Sequence, residues 1–252
     1  MAARHRADVR AAPHSVDHVF LTHHTMTAMK ILVLGKGRMG HAVKAAAEGR
    51  GHTVVGLWGR EAMAAGDWPE ADVAIDFTLP ESAVAVYSAC RDRGLPLVSG
   101  TTGWLDAYDA VEEAVRDAGH PMVWAPNFSV GVHLFRKAMW QVEEALESHG
   151  FEPSITETHH TGKVDAPSGT ALSLAGDLKA GRNEEIPVHA VRLPGVPGTH
   201  RIDWDSGVDR ISLEHSAKDR TGFAHGAVRA AEWLLEQPGP FTKIFTLDDV
   251  WG

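Results

Sequence analysis

From residue 29, short apolar runs closed by glycine or a polar turn alternate with stretches of helical spacing. Lys30-Ile31-Leu32-Val33-Leu34 is apolar on both of its faces, which predicts a strand covered on both sides. Thr53 to Trp58, Ala71 to Thr78, Pro96 to Ser99 and Pro121 to Ala125 repeat the pattern. Between the strands lie a helix packing through Ala42, Val43, Ala45 and Ala46, and later helices over 81–92 and 105–118. This alternation predicts a parallel, doubly wound sheet with right-handed crossovers. Only residues 59–71 separate Trp58 from Asp72, so one crossover is abbreviated.

The period changes after Ser129. Val132, Phe135, Met139, Val142 and Leu146, three and four residues apart, predict a long amphipathic helix whose apolar stripe is core. Phe151 to His159 alternates as a strand does, with Ile155, Glu157 and His159 on one face and Thr156 and Thr158 on the other. Ser168 is an N-cap for the apolar run Ala171, Leu172, Leu174, Ala175 and Leu178. Strands near Val188–Arg192, Thr199–Trp204 and Arg210–His215 predict an antiparallel or mixed open sheet. A helix from Ala224 to Leu235 and a strand-like run from Phe241 to Leu247 close the chain.

With 252 residues and 44% hydrophobic composition the chain suits one large domain or two small ones. A net charge of −9 argues against a nucleic-acid partner, which would require a basic face. No apolar run approaches the roughly 20 residues needed to cross a bilayer. Cys90 is alone, which rules out an internal disulfide and points to a reducing, cytoplasmic setting; within Tyr87–Asp92 it reads as a small buried hydrophobe. Residues 1–28 are basic at Arg4, Arg6 and Arg10 but lack the apolar core of a secretory signal. Their histidines (5, 14, 18, 23 and 24) are irregularly spaced, so a disordered tail is expected there rather than a metal site. Met29-Lys30 reads as the beginning of the fold, and what precedes it as a tail or a mis-set start.

The first strand runs into Gly35-Lys36-Gly37-Arg38-Met39-Gly40 and then a helix. In that context Gly35 allows the turn, Gly37 lets a pyrophosphate approach the backbone, and Gly40 lets helix pack on strand. The second strand ends at Trp58-Gly59-Arg60-Glu61, where an acid would take the ribose hydroxyls of NAD. Arg60 there accommodates a 2′-phosphate and leans toward NADPH, although a plain solvated cation would leave either dinucleotide acceptable. Phe77 and Thr78 lie at a strand's carboxyl end, as does Gly100-Thr101-Thr102-Gly103, whose backbone suits a nicotinamide amide. Asn127 and Ser129 form the hinge to the second half.

The densest chemistry lies in Glu157-Thr158-His159-His160-Thr161-Gly162-Lys163-Val164-Asp165-Ala166-Pro167-Ser168-Gly169-Thr170-Ala171. Two imidazoles and an ammonium suit proton transfer and the holding of a carboxylate. The helix starting after Ser168 offers the free N–H groups of Gly169 and Thr170 to an anion. A surface His-His pair with a solvated lysine is the plainer reading, but it gives no reason for an anion-receiving helix start immediately downstream.

This stretch resembles, without a gap, the signature of the 4-hydroxy-tetrahydrodipicolinate (dihydrodipicolinate) reductase family of lysine and diaminopimelate biosynthesis. Gly-Arg-Met-Gly at 37–40, Asp-Phe-Thr at 76–78, Gly-Thr-Thr-Gly at 100–103 and Asn-Phe-Ser-Val-Gly-Val at 127–132 resemble its cofactor loops. Arg192 to His200 resembles its Arg-x-Gly and Gly-x-His segment. The first glycine loop is one residue shorter than the family's usual form. The resemblance implies an α/β fold: a Rossmann-like doubly wound parallel sheet with a second α+β domain carrying an open mixed sheet. The dinucleotide-binding domain would span 29–128, completed by about 220–252, and the substrate-binding and oligomerisation domain 129–219. The implied reaction is reduction of a cyclic dicarboxylate by NADPH or NADH, with His159 as general acid and Lys163 sharing the catalytic site. His160, Lys163, Ser168, Gly169 and Thr170 would bind substrate. Gly35, Gly37, Arg38, Met39, Gly40, Arg60, Phe77, Thr78, Gly100, Thr101, Thr102, Ala125, Pro126, Asn127, Phe128, Arg220 and Phe223 would bind cofactor. A cytoplasmic homotetramer is implied, and no metal. Another two-domain amino-acid dehydrogenase, such as an aspartate or homoserine dehydrogenase, lacks the Asp-Ala-Pro-Ser-Gly-Thr helix start. A non-catalytic dinucleotide sensor would be expected to lose His159 or Lys163.

Overall fold

The computed structural model describes residues 27–180, 182–219 and 221–252. The expected tail with its histidines, up to residue 26, and the predicted cofactor residue Arg220 lie outside the described residues.

Five parallel strands form the first sheet: β1 (Lys30–Leu34), β2 (Thr53–Trp58), β3 (Val73–Asp76), β4 (Leu97–Ser99) and β5 (Met122–Trp124), in the order β2-β1-β3-β4-β5. Ile31 to Leu34 are wholly buried, as an apolar run on both faces requires. Helix α1 (Arg38–Gly49) covers one face with α7 (Thr221–Glu236), bringing Val43, Ala46 and Ala47 into one core with Ala227, Ala230 and Ala231. α3 (Ala83–Arg91) and α4 (Tyr108–Ala118) cover the other through Val86, Tyr87, Cys90, Val111 and Val115. Burial pushes the Cys90 thiol up to about 12, so it stays an inert hydrophobe. The shortened crossover is α2 (Arg60–Ala65), which buries none of its residues. The chain winds outward from β1 to β2 and then crosses back to β3, so the switch point, where open α/β sheets take ligands, lies beyond the ends of β1 and β3.

The second sheet is mixed, as expected. It comprises β6 (Glu152–His159), β7 (Val188–Arg192), β8 (Thr199–Asp205) and β9 (Arg210–Ser216) in the order β7-β6-β8-β9, parallel only between β6 and β7. α5 (Val130–Leu146) and α6 (Gly169–Lys179) cover its inner face, where Phe135, Met139, Leu174 and Leu178 meet Ile155, Ile202 and Trp204. The chain then returns to the first sheet. Gly226 of α7 passes so close to Phe128 that an added Cβ would lie 1.8 Å from the Phe128 carbonyl oxygen. Glu232 binds Arg50 at 2.7 and 2.8 Å and His52 at 2.9 Å, which locks α7 to the α1–β2 turn.

One expected strand is absent. Phe241 to Leu247 makes a single bridge, Val123 with Phe245, and then gives way to α8 (Leu247–Trp251). Thr246 and Asp249 close a capping box in which the Thr246 N–H donates to the Asp249 carboxylate at 2.8 Å, and that ends the run by starting the helix at Leu247. α7 likewise begins at Thr221, three residues before the expected start, where Asp219 takes the Thr221 N–H at 2.8 Å.

Candidate active site

The cofactor half is built where β1, β3 and β4 end. Gly35 sits at φ +110°, and a Cβ there would lie 2.3 Å from the Phe77 carbonyl oxygen. A Cβ on Gly40 would lie 1.8 Å from the Gly35 oxygen, so both positions require glycine for packing. Gly37 differs, with nothing within 4 Å of its added Cβ: it opens space at the start of α1, whose N-cap carries no side-chain bond. That is the room a pyrophosphate needs against free N–H groups, and the turn fits a dinucleotide. Arg38 is exposed and Met39 half-buried.

Asp76, buried at the end of β3, organises the neighbouring loops. It accepts from Ser99 Oγ at 2.7 Å, Thr101 Oγ1 at 2.8 Å and the Thr78 N–H at 2.9 Å. The Thr101 carbonyl accepts the indoles of Trp104 and Trp124, both at 2.8 Å. The Thr101 side chain therefore holds the loop in place, while Thr102 next to it is exposed. Phe77 lies over Gly100, where a Cβ would come within 2.2 Å of its ring, and stands edge-to-face on Phe128. Asn127 spends its carbonyl on the Ser129 N–H at 2.9 Å, and Ser129 Oγ caps α5 at the Val132 N–H, 3.2 Å away. Ala125 is buried, Pro126 exposed, and Phe223 half-buried in the first turn of α7. Arg60, first in α2, pairs with Glu81 at 3.0 Å, both side chains more than half exposed.

The second half is built on the end of β6. The strand buries Pro153, Ile155, Glu157 and His159 on one face, as its alternation predicted. Glu157 Oε2 meets Nδ1 of His159 in a very short contact. Glu157 Oε1 accepts from Arg192 at 2.9 Å and from the Ser168 N–H at 3.3 Å. Burial alone would raise this carboxyl, but the hydrogen bonds and charges of His159 and Arg192 outweigh it and hold it below the usual carboxylate range. Ser168 caps α6 as expected, its Oγ accepting the Ala171 N–H at 3.2 Å, and it also meets His200 Nε2 at 3.2 Å. His200 lies opposite Glu157 in the β6–β8 register, and its ring is 5.3 Å from that of His159. Burial first, then the charge of His159, pushes His200 down to about 4. Lys163 pairs with Asp165 at 2.8 Å. That hydrogen bond lowers the Asp165 carboxyl, and the Gly169 N–H adds to the effect. Asp165 thus occupies the converging cationic and N–H groups that the sequence assigned to an external anion. Gly169 is exposed, and Thr170 and His160 are half-buried.

His159, Lys163, Ser168 and the α6 N-terminus are therefore brought together. Glu157, Arg192, His200 and Asp76 stand outside the site residues expected from the sequence, although Asp76 and the segment from Arg192 to His200 lie in motifs that resemble the family's. For Glu157 the signal was present, since an acid two residues before a histidine on a strand shares its face.

Two buried imidazoles give the fold an acid limit. His200 and His120 are both held near 4, chiefly by burial, against an ordinary value of 6.5. The unfolded chain therefore binds more protons than the folded one between these values, and stability falls as pH falls through that window. Each group contributes up to about 3 kcal/mol to the loss. Urea unfolding from neutral pH down to about pH 4 is expected to show it, and His120→Phe to flatten the slope.

Family models for the dihydrodipicolinate reductase N-terminus and C-terminus match residues 29–128 and 131–251. The 4-hydroxy-tetrahydrodipicolinate reductase of Christiangramia forsetii is 38% identical over 240 residues, 88% of this chain and 99% of the relative. That of Xanthomonas euvesicatoria pv. vesicatoria is 38% identical over 232 residues, 85% and 95% of the two chains. Among solved structures, a dipicolinate-bound dihydrodipicolinate reductase from Paenisporosarcina sp. TG-14 shares the fold at TM-score 0.68 and 21% identity, covering 87% of this chain and 98% of that one. An aspartate semialdehyde dehydrogenase II from Vibrio cholerae shares it more loosely, at TM-score 0.52 and 15% identity over 83% and 98% of the chains.

Proposed function

The chain belongs to the dihydrodipicolinate reductase family, whose reaction, NAD(P)H-dependent reduction of 4-hydroxy-tetrahydrodipicolinate to tetrahydrodipicolinate in lysine and diaminopimelate biosynthesis, is its own, and we propose how its residues carry that reaction out. The observation that carries the assignment is the cluster at the end of β6: His159 with Nδ1 on a buried carboxylate, the Lys163 ammonium, and the first turn of α6.

The dinucleotide, when bound, supplies the hydride. Gly35, Gly37 and Gly40 with the start of α1 would hold its pyrophosphate. Arg38, Met39, Phe77, Thr78, Gly100, Thr101, Thr102, residues 125–128, Phe223 and Arg220 would form the remainder of that site. The nucleotide half then comprises 29–128 and the returning 220–252, with 129–219 as the substrate half. Lys163, the N–H groups of Gly169 and Thr170, and the Ser168 turn would take a substrate carboxylate, displacing Asp165 from the ammonium. His160 would hold the substrate from the adjoining side. His159 would give the proton on Nε2 to the enamine-like carbon, because Nδ1 is engaged by Glu157.

NADPH is the better dinucleotide in this reading. Arg60 is exposed, and its surface pair with Glu81 is weak enough to be exchanged for a 2′-phosphate. Arg60→Ala is expected to lower kcat/KM for NADPH about tenfold and leave that for NADH unchanged, as measured by initial rates with each dinucleotide. A cytoplasmic homotetramer completes the reading. It is supported by the family resemblance, and the second sheet's outer face, where Thr156, Thr158, Arg201 and Asp203 are half-buried and Ser212 and Glu214 exposed, would be the face that meets other subunits.

The test generates substrate in situ from pyruvate and aspartate semialdehyde with dihydrodipicolinate synthase and follows loss of dihydronicotinamide absorbance. Oxidation that depends on this substrate is the expected result. A protein that binds the dinucleotide and never oxidises it would sink the assignment.

A further inference from the structure

Glu157 is wholly buried in the substrate half of the candidate site, and its hydrogen-bond partners are His159, Arg192 and the Ser168 N–H. Arg192 reaches it from β7, where it is the register partner of His159. The same guanidinium donates to the Asp165 carbonyl at 2.6 Å, and so ties the loop carrying Lys163 to the strand carrying His159. The Ser168 N–H donates from the α6 turn. With these two contacts on Oε1, Oε2 is left for His159 Nδ1. On its far edge the His159 ring faces Gly198, where an added Cβ would lie 3.0 Å from Nε2. A glycine there leaves the Nε2 edge uncovered by a side chain. The neighbouring His200 has its Nε2 on Ser168 Oγ, so of the two adjacent imidazoles it is His159 that hydrogen-bonds the Glu157 carboxylate.

We propose that Glu157 is a positioning residue for the proton donor: held by Arg192 and the Ser168 N–H, it fixes the His159 ring with Nδ1–H inward and Nε2 outward, and stabilises the imidazolium until Nε2 gives up its proton. This rests on His159 being the donor. The same atoms describe a buried ion pair between Glu157 and Arg192 that merely holds β6 to β7, and the two roles differ in what they predict for the imidazole. A structural pair sets stability. A positioning carboxylate sets the tautomer and the proton-transfer step.

The test combines histidine-selective 15N labelling with steady-state kinetics, the His159 signal being assigned by its loss in His159→Gln. In wild type, neutral His159 is expected to carry its proton on Nδ1. Glu157→Gln keeps the side chain's size and its acceptor for Arg192, but turns an NH2 toward Nδ1 and moves the proton to Nε2. It is expected to lower kcat about 20-fold with both KM values within about threefold. The solvent isotope effect on kcat should rise as proton transfer becomes limiting, and the effect of deuterated NADPH should fall. A wild-type proton on Nε2 overturns the proposal, as does a Glu157→Gln enzyme with unchanged kcat and isotope effects. If Glu157→Gln fails to fold, the wild-type tautomer decides alone. Failure of the parent reading looks different: His159→Gln would then keep its turnover, whatever Glu157→Gln does.

Discussion

Replacing His159 by glutamine is expected to lower kcat about 1,000-fold while leaving dinucleotide binding unchanged. The amide fills much of the imidazole's volume and can donate to Glu157, so the buried carboxylate keeps a partner and the fold keeps its stability to within about 1 kcal/mol. What is lost is the dissociable ring proton, which an amide cannot supply. The imidazole packed against His159 cannot replace it. His200 is held near 4, and its Nε2 is occupied by Ser168. His160 lies just past the end of β6, its ring beside Gly162, where an added Cβ would lie 3.3 Å from Nδ1. Initial rates with in-situ substrate give kcat, and quenching of protein fluorescence by NADPH gives binding. A variant whose kcat stays within about tenfold of wild type would remove His159 from the proton-donor role.

The parts of this molecule that could be read from the chain are those whose cause is local. β1 and β2 follow from apolar runs between turn residues, and their bounds agree with the reading. The Ser168 cap and the shared face of Ile155, Glu157 and His159 follow from spacing alone. Interactions that cross the sheets were out of reach. Asp76 acts as a hub only because Ser99 and Thr101, 23 and 25 residues later, fold back over it. Glu157 acquires its meaning from Arg192, 35 residues away on a strand whose register with β6 no pattern specifies. The misread segment at 241–247 shows the converse. Its apolar residues suggest a strand, but only Phe245 bridges β5, and a capping box at Thr246, with Asp249 in the place glutamate usually takes, starts a helix at Leu247. The Lys163–Asp165 pair is legible in the spacing, but a lysine beside an anion-receiving helix start suggests an external anion before the one two residues away.

That pair determines what Lys163→Ala should do. Lys163 and Asp165 are about a quarter and more than half exposed, so their contact adds little to stability, and the variant is expected to unfold within about 0.5 kcal/mol of wild type. Its effect falls on the substrate. A substrate carboxylate must displace Asp165 from the ammonium, and that exchange gains only where the new anion is drier and better oriented than the old one, as it is against the first turn of α6. Losing the ammonium removes a charge-assisted contact and leaves two carboxylates, Asp165 and the substrate's, competing for the same N–H groups. kcat/KM is expected to fall about 100-fold, mostly through the substrate KM, with the dinucleotide KM unchanged. Lys163→Arg should recover much of the loss, because a guanidinium also binds a carboxylate. The division between KM and kcat then decides the chemistry. A loss carried by KM makes Lys163 a clamp and leaves proton delivery to His159. A loss carried by kcat, with no recovery in Lys163→Arg, means that the ammonium gives a proton in the transition state, because a guanidinium restores charge but cannot act as the acid.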